Sequence, residues 1–335
     1  MLMKLILGFF LIFSALFASE EVNVYSHRHY DTDKQLFKMF EEKTGIKVNV
    51  VKADANALIK RLTSEGDKSP ADVLITVDAG RLYQAKELNL LQAIKSDYLI
   101  NNIPENLRDE DNEWFALTKR VRAFVVPKGS GLENKIKTYE DLIKPEFKKM
   151  IMTRSSSHIY NQSMLAAVIA HHGKEYALKW AKGVVKNMKR TPRGDDRYQV
   201  KAVGNGIGEI GIVNTYYVGQ MTGSKDLSEK EAVQNVKVIF PVFENGGTHI
   251  NVSGAGVTKY APHKENAIKF IEFLASPEAQ ELFANDNFEY PVVKGMKVNS
   301  VVASWGEFTD DKISVNTLGK YNADAVKIFD EAGWK

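Results

Sequence analysis

Four tyrosines stand where their hydroxyls could do chemistry. Tyr30 follows His29 just beyond a short apolar run, Tyr160 follows a serine-rich loop and His158, and Tyr216 and Tyr217 are adjacent at the end of another apolar run. A phenol both donates and accepts hydrogen bonds, and imidazole is in addition the commonest metal ligand. Adjacent side chains point to opposite faces of a regular strand. Tyr216 and Tyr217 therefore share a site only if the chain leaves the strand between them, at a turn or a helix start. Otherwise they are half-buried packing residues, a common use of aromatic rings. His27 and His29 straddle Arg28, and His29 and Tyr30 converge only at a strand-to-helix turn; the histidine spacing fits no common zinc motif. His158, His171, His172, His249 and His263 are scattered and read as surface or capping residues. Arg193, Asp195, Asp196 and Arg197 surround Gly194 in a charged loop that is either a solvated turn or part of a site.

The composition excludes several alternatives. With no cysteine among 335 residues, there are no disulfides, thiolate zinc sites, cysteine-ligated iron–sulfur clusters or cysteine nucleophiles. Lys+Arg of 45 against Asp+Glu of 42 leaves a formal charge of +3, too small for a strong overall nucleic-acid footprint. The basic stretches Lys144–Lys149 and Lys182–Arg190 carry no interleaved aromatics on which bases could stack. Gly204, Gly206, Gly208 and Gly211 lack the strand–turn–helix order of a dinucleotide fingerprint. No G-x-S-x-G, H-E-x-x-H or P-loop is present, and no nucleophile is followed by an oriented base, so the chain does not read as an enzyme.

The elements that must position these residues alternate. Val22–Tyr25 reads as a strand, Asp31–Glu42 as a helix capped by Asp31 or Thr32 and ended by Gly45, and Ile46–Val50 as a second strand. Asn56–Leu62 is helical, Ala71–Val77 is a third strand, and Arg81–Glu87 is helical again. Further along, Val121–Val126, Ile210–Val213 and Val236–Phe240 read as strands. Tyr139–Met150 reads as a helix followed by a basic turn, and Asn161–His172, Glu175–Met188, Val200–Val203, Lys264–Leu274, Pro277–Ala284 and Tyr321–Ala332 read as helical. Strands alternating with helices imply an α/β fold with a mostly parallel sheet, and ligands bind beyond the carboxyl ends of such strands. Tyr30 and the Tyr216–Tyr217 pair both sit at such ends.

The first residues read as a targeting segment. Lys4 precedes the apolar run Leu5–Phe17, and Ala18 precedes Ser19, Glu20 and Glu21, the pattern of a signal peptide over residues 1–18. The run falls short of the roughly 20 apolar residues of a membrane span. A secreted chain of this kind belongs to the periplasm in a bacterium with two membranes.

The segments Val24–Asp31 and Asn214-Thr215-Tyr216-Tyr217, with Pro70–Val73 and Asn245–His249, resemble the ferric-iron-binding periplasmic proteins of ABC importers. The resemblance implies a two-lobed periplasmic-binding-protein fold of type II with a cleft between the lobes. The first lobe would comprise 21–118 plus 239–288, and the second 119–238 plus 289–335. Thr118–Phe124 and Lys237–Pro241 would be the crossing hinge strands. It implies Fe(III) as the bound species, held by His29, Tyr30, Tyr160, Tyr216 and Tyr217, with a synergistic anion such as carbonate as an optional further ligand. Phenolate is a hard donor suited to a hard trivalent cation. Four phenolates around Fe(III) leave one negative charge, which Arg28, Arg193 or Arg197 would offset. The implied partner is an inner-membrane ABC permease, the protein being a monomer with no nucleic acid bound. The alternative is a solute-binding protein for an inorganic anion or a polyamine, which Arg154 and the Ser155–Ser157 loop would serve.

The targeting pattern makes a first prediction. Mass spectrometry of the exported protein should find its N-terminus at Ser19; a membrane-bound product retaining Met1–Phe17 would contradict it.

Overall fold

The computed structural model describes residues 20–28 and 30–335. His29 and the targeting segment lie outside the described residues. The chain begins with β1 (Glu21–Ser26) and α1 (Asp31–Thr44), which ends on Gly45 in the left-handed region (φ 74°). Tyr30 itself is the N-cap residue, in an extended conformation, and no side chain caps the helix. Asp31 and Thr32 are thus already inside the first turn, one residue too late for the capping role that the sequence suggests. Then come β2 (Lys47–Lys52), α2 (Ala55–Glu65), β3 (Val73–Val77), α3 (Ala79–Glu87), β4 (Leu91–Gln92) and α4 (Asp97–Asn102).

The middle of the chain holds β5 (Trp114–Pro127), α5 (Leu132–Lys135), β6 (Ile151–Met152), α6 (Ile159–Asn187), α7 (Asp196–Gly204), β7 (Ile210–Asn214), α8 (Thr215–Thr222), α9 (Leu227–Gln234) and β8 (Val236–Ile239). The expected Tyr139–Met150 helix is instead two short 3-10 turns, Glu140–Ile143 and Pro145–Phe147. Pro145 has no N–H to continue a helix, and it disfavours helical backbone at the residue before it. The two helices expected over 161–188 are both present, parted by the non-helical Gly173 (φ 81°, ψ 169°) within the span denoted α6. The remainder is β9 (Ile250–Thr258), α10 (Lys264–Leu274), α11 (Pro277–Asn287), β10 (Tyr290–Pro291), α12 (Ser300–Ala303), α13 (Asn316–Lys320) and α14 (Asn322–Ala332).

The main strand order is β2-β1-β3-β9-β5-β7-β6. β1 runs parallel to β2 and β3, β6 runs parallel to β7, and β9 is antiparallel to both β3 and β5. β5 joins the two halves as one continuous strand. Residues 114–121 pair with β9, and residues 122–127 pair with β7 and β8. The return crossing differs from the expectation. β8 pairs only with Phe124–Pro127, inside the second half, so Lys237–Pro241 is not a crossing strand. The chain comes back at the start of β9, where Ile250 pairs with Val121 and the Arg122 N–H donates to the His249 carbonyl.

β9 carries Gly254 and Gly256, which suppress the apolar pattern of a strand. A Cβ at Gly254 would lie 2.7 Å from the Phe115 carbonyl oxygen and 2.7 Å from Leu82 Cδ1. Close approach of β5 and α3 to β9 therefore requires glycine there.

α10 packs on β1 and β9 and α11 on α1, whereas α14 packs on α6, α12 on α8, and α13 on both α3 and α6. The fold is thus α/β with two lobes and a cleft between them. Contacts also cross the cleft. Asp78, at the end of β3, is fully buried and sits at φ 85°. Its carboxylate accepts from Ser163 Oγ of α6 at 2.8 and 2.9 Å, from Asn251 Nδ2 of β9 at 2.8 Å and from the Gly80 N–H at 2.9 Å. A non-glycine residue held at positive φ costs roughly 1–3 kcal/mol, so these bonds over-determine a strained backbone.

Candidate metal centre

The strand ends bring the tyrosines together. Beyond β1 the chain turns at once into α1, leaving Tyr30 at the junction. Beyond β6, residues 153–158 lead to Tyr160 in the first turn of α6. At the end of β7 the backbone leaves the strand at Asn214, so Tyr216 and Tyr217 occupy the first turn of α8. That change of conformation lets neighbouring residues share a site: the two rings lie 4.3 Å apart with planes 32° from parallel.

Tyr160 Oη and Tyr216 Oη are 3.0 Å apart in a hydrogen bond. The Tyr30 ring stands edge-on to Tyr216, with centroids 6.5 Å apart. The Tyr30 hydroxyl holds its proton well above the ordinary phenol range, first because burial strips water from the phenolate, then because Glu289 and Tyr160 add negative charge. Burial likewise raises Tyr216, helped by Tyr160, Tyr30 and Tyr217. Burial raises Tyr217, helped by Tyr160 and Asp196. Burial and the neighbouring negative charge thus oppose ionisation of Tyr30, Tyr216 and Tyr217, so these three stay protonated in the empty cluster.

Guanidinium groups ring the cluster. Arg28 lies 4.8 Å from the Tyr30 ring centroid, and Arg197 lies 5.9 Å from that of Tyr217. Arg120, Arg122 and Arg154 lie 5.8, 6.0 and 5.3 Å from that of Tyr160. Each has a polar partner of its own. Arg28 donates to Asp33 and Glu289, both at 3.1 Å, and Arg120 to Ser253 at 2.8 Å. Arg122 donates to Asp196 at 2.6 Å, Arg154 to Asp196 at 3.3 Å, and Arg197 to Glu229 at 2.7 Å. Arg193 is different. It is exposed, with its guanidinium 5.5 Å from the Tyr198 ring, because Gly194 (φ 72°) turns the loop before α7 begins. It is not brought to the tyrosines.

Sequence reasoning places Arg120 and Arg122 only near a hinge strand and Arg154 only with the anion alternative, not beside the tyrosines. Arg120 and Arg122 sit two apart on β5 and face the same side, a signal visible only once Thr118–Phe124 is known to run beside the site. His158 does cap α6, as its Nδ1 accepts the Tyr160 N–H at 3.3 Å. Burial and the nearby Arg154 and Arg122 push its pKa down to about 3, so the ring is neutral. Among the described residues, no group of three or more His, Asp or Glu side chains could hold a metal ion.

The pattern of bacterial extracellular solute-binding proteins matches residues 68–306. The chain belongs to this family. Among solute-binding proteins it is 47% identical to iron uptake protein A1 of Synechocystis over 94% of this chain and 88% of that one. The solved structure of Trichodesmium IdiA (FutA), in complex with iron and citrate ligands, superposes with a TM-score of 0.91 at 48% identity. It covers 94% of this chain and 100% of that one. The ferric binding protein from Campylobacter jejuni superposes with a TM-score of 0.87 at 43% identity, covering 94% and 100%.

The protonated state of the empty cluster is testable. Folded-state pKa values raised above the unfolded value near 10 contribute stability that is full below about pH 10 and is lost as pH rises toward the folded values. In a spectrophotometric titration of the metal-free protein, Tyr216→Phe should leave unchanged the phenolate absorbance that develops before alkaline unfolding. Loss of one tyrosine's amplitude from that phase would show that Tyr216 ionises in the empty site.

Proposed function

We propose that this protein captures iron(III) in the cleft between its lobes and delivers it to an inner-membrane ABC permease from the periplasm. Tyr30, Tyr160, Tyr216 and Tyr217 supply phenolate oxygens, and His29 supplies a fifth donor. The observation that carries the reading is the 3.0 Å contact between the Tyr160 and Tyr216 hydroxyls, within a set of phenols drawn from both lobes. The relatives named for iron uptake and ferric binding, at 47% and 43% identity, support the same cargo.

Hard phenolate oxygens favour a hard trivalent cation over softer divalent ones. Loading displaces the phenolic protons, so binding is coupled to proton release. Four phenolates leave one net negative charge at the loaded site, and Arg28, Arg120, Arg154 and Arg197 stand close enough to stabilise it. A co-bound anion such as carbonate or citrate would add further negative charge, so the chain's own donors do not require one. An inorganic anion as the cargo fits less well, because the cleft arginines already have carboxylate or hydroxyl partners.

In this reading Tyr30 belongs to the lobe of β1–β3, to which the chain returns at β9, and the other three tyrosines to the lobe of β6–β8. Ligation from both sides holds the cleft closed around the cargo. The permease then reads the closed outline, and the protein itself transforms nothing.

Phenolate-to-iron charge transfer should colour the loaded protein. Tyr216→Phe and Tyr217→Phe each remove an oxygen and keep the ring, so both should fold, lose most iron binding, and weaken or shift the visible band. Tyr260→Phe, on an exposed ring far along the chain, should change neither. Normal binding and spectra in both site variants would defeat the assignment.

Acid should discharge the protein by returning protons to the phenolates. With His29 as a donor, His29→Ala should release iron at higher pH, along a curve shallower by about one proton. A titration of the visible band measures both, and superimposed curves would remove His29 from the donor set.

A further inference from the structure

The separation of Tyr160 from the Tyr216–Tyr217 pair needs an explanation. The two groups sit in the first turns of different helices, α6 and α8. The direct strand pairing beneath them, β6 with β7, consists of Ile151↔Ile210 and Met152↔Gly211 and goes no further. Beyond it, both chains run on for several residues before the tyrosines appear. Something else must fix the 3.0 Å contact between their hydroxyls.

A single carboxylate makes the connection. Asp196, the first residue of α7, is fully buried. Its Oδ2 accepts the backbone N–H of Asn214 at 2.7 Å, and Asn214 is the N-cap residue of α8. The same oxygen accepts Arg122 Nη1 at 2.6 Å. Arg122 Nη2 donates to Asn161 Oδ1 at 2.8 Å, and Asn161 directly follows Tyr160. Asn161 Nδ2 in turn donates to the Arg154 carbonyl at 2.8 Å and the Ser155 carbonyl at 3.2 Å, holding the loop that feeds α6. Asp196 Oδ1 accepts Arg154 Nη1 at 3.3 Å. The start of α8 is therefore tied through Asp196, Arg122 and Asn161 to the start of α6. Asp196, Arg122 and Asn161 are all buried, where charge-assisted hydrogen bonds are strong and directional.

We propose that Asp196 is the positioning residue of this half of the site, setting the distance between the Tyr160 oxygen and those of Tyr216 and Tyr217. The inference rests on the reading of the tyrosines as iron donors. Asp196 touches no cargo; it acts through the two helix starts. The geometry also says why only a carboxylate serves. An amide at this position would turn an NH2 group toward one of the guanidinium groups and leave Arg122 and Arg154 buried without their shared counter-charge.

The test uses the exported protein with iron(III) and a competing chelator, read by the visible charge-transfer band. Asp196→Asn should shift the band maximum and weaken iron retention about 10- to 100-fold, the usual cost of losing an outer partner of a metal ligand. Its metal-free form should still melt cooperatively by circular dichroism. Asn161→Ala cuts the circuit at its other arm and should shift the band in the same sense, so the inference stands or falls on this variant if Asp196→Asn does not fold. Asp72→Asn is the control. It removes an equally buried carboxylate that accepts the Asn23 N–H at 2.7 Å and the His263 N–H at 2.6 Å, remote from the tyrosines. It should lower the melting temperature and leave the band in place. An unmoved band and unchanged retention in folded Asp196→Asn, or in Asn161→Ala, would overturn the inference while leaving the tyrosine donors intact. A wild-type protein that develops no band with iron would overturn the donor reading itself, and the positioning role with it.

Discussion

A buried phenol keeps its proton, and the rest of the site is organised around that fact. Tyr30, Tyr216 and Tyr217 are each held above the ordinary phenol range chiefly by desolvation, and Tyr216 further by the other three rings. Such a cluster has little attraction for monovalent cations, because the negative charge that would hold them does not exist until the protons leave. A small trivalent ion provides the field needed to displace several protons at once. For the cargo proposed above, selectivity would follow from the difficulty of ionising the site as much as from the fit of its donors, with pH as a direct competitor.

The arginines and acids around the cluster form a second level of the same design. Arg28 is clamped by Asp33 and Glu289, and Arg122 and Arg154 share Asp196. Removing one member of such a buried pair leaves an uncompensated charge and is strongly destabilising. The pairing therefore keeps guanidinium groups within about 6 Å of the phenol rings without leaving them free to recruit an anion. Asp196 also accepts the Asn214 N–H at 2.7 Å, at the turn that presents Tyr216 and Tyr217.

Much of this was legible in the amino-acid sequence, for reasons that differ by element. α1, β3 and the C-terminal helices announce themselves through periodicity and through terminators such as Gly45. The convergence of Tyr216 and Tyr217 was open from spacing alone, because it depends on where β7 stops, and Asn214 gives only a weak stop signal. β9 was invisible because Gly254 and Gly256 replace the side chains that mark a strand, and they do so to admit Phe115 and Glu113 at close range. With β9 hidden, nothing in the residues themselves counters the return crossing at 237–241 that the family resemblance implies. The sequence offers Arg120 and Arg122 only as residues near a hinge and Arg154 only as an anion contact, because their partners lie far away in sequence; Arg122 and Asn161, for example, are 39 residues apart. A buried ion-pair network is a property of the assembled fold and leaves no local pattern. Arg193 shows the converse: in the same charged loop it is exposed beside Tyr198, while Asp196 and Arg197 turn toward the tyrosines.

The bond between Asp78 and Ser163 has a bearing on the economy of transport. It joins the lobes through groups that are not candidate donors, so part of the attraction between the lobes belongs to the polypeptide and not to its cargo. In the transport reading proposed above, such a bond would draw the lobes together without cargo as well as with it. An empty molecule that presents the loaded outline competes for the same docking site and, once docked, yields nothing. For the permease proposed above, the lifetime of closure, and not shape alone, would then distinguish a loaded molecule from an empty one.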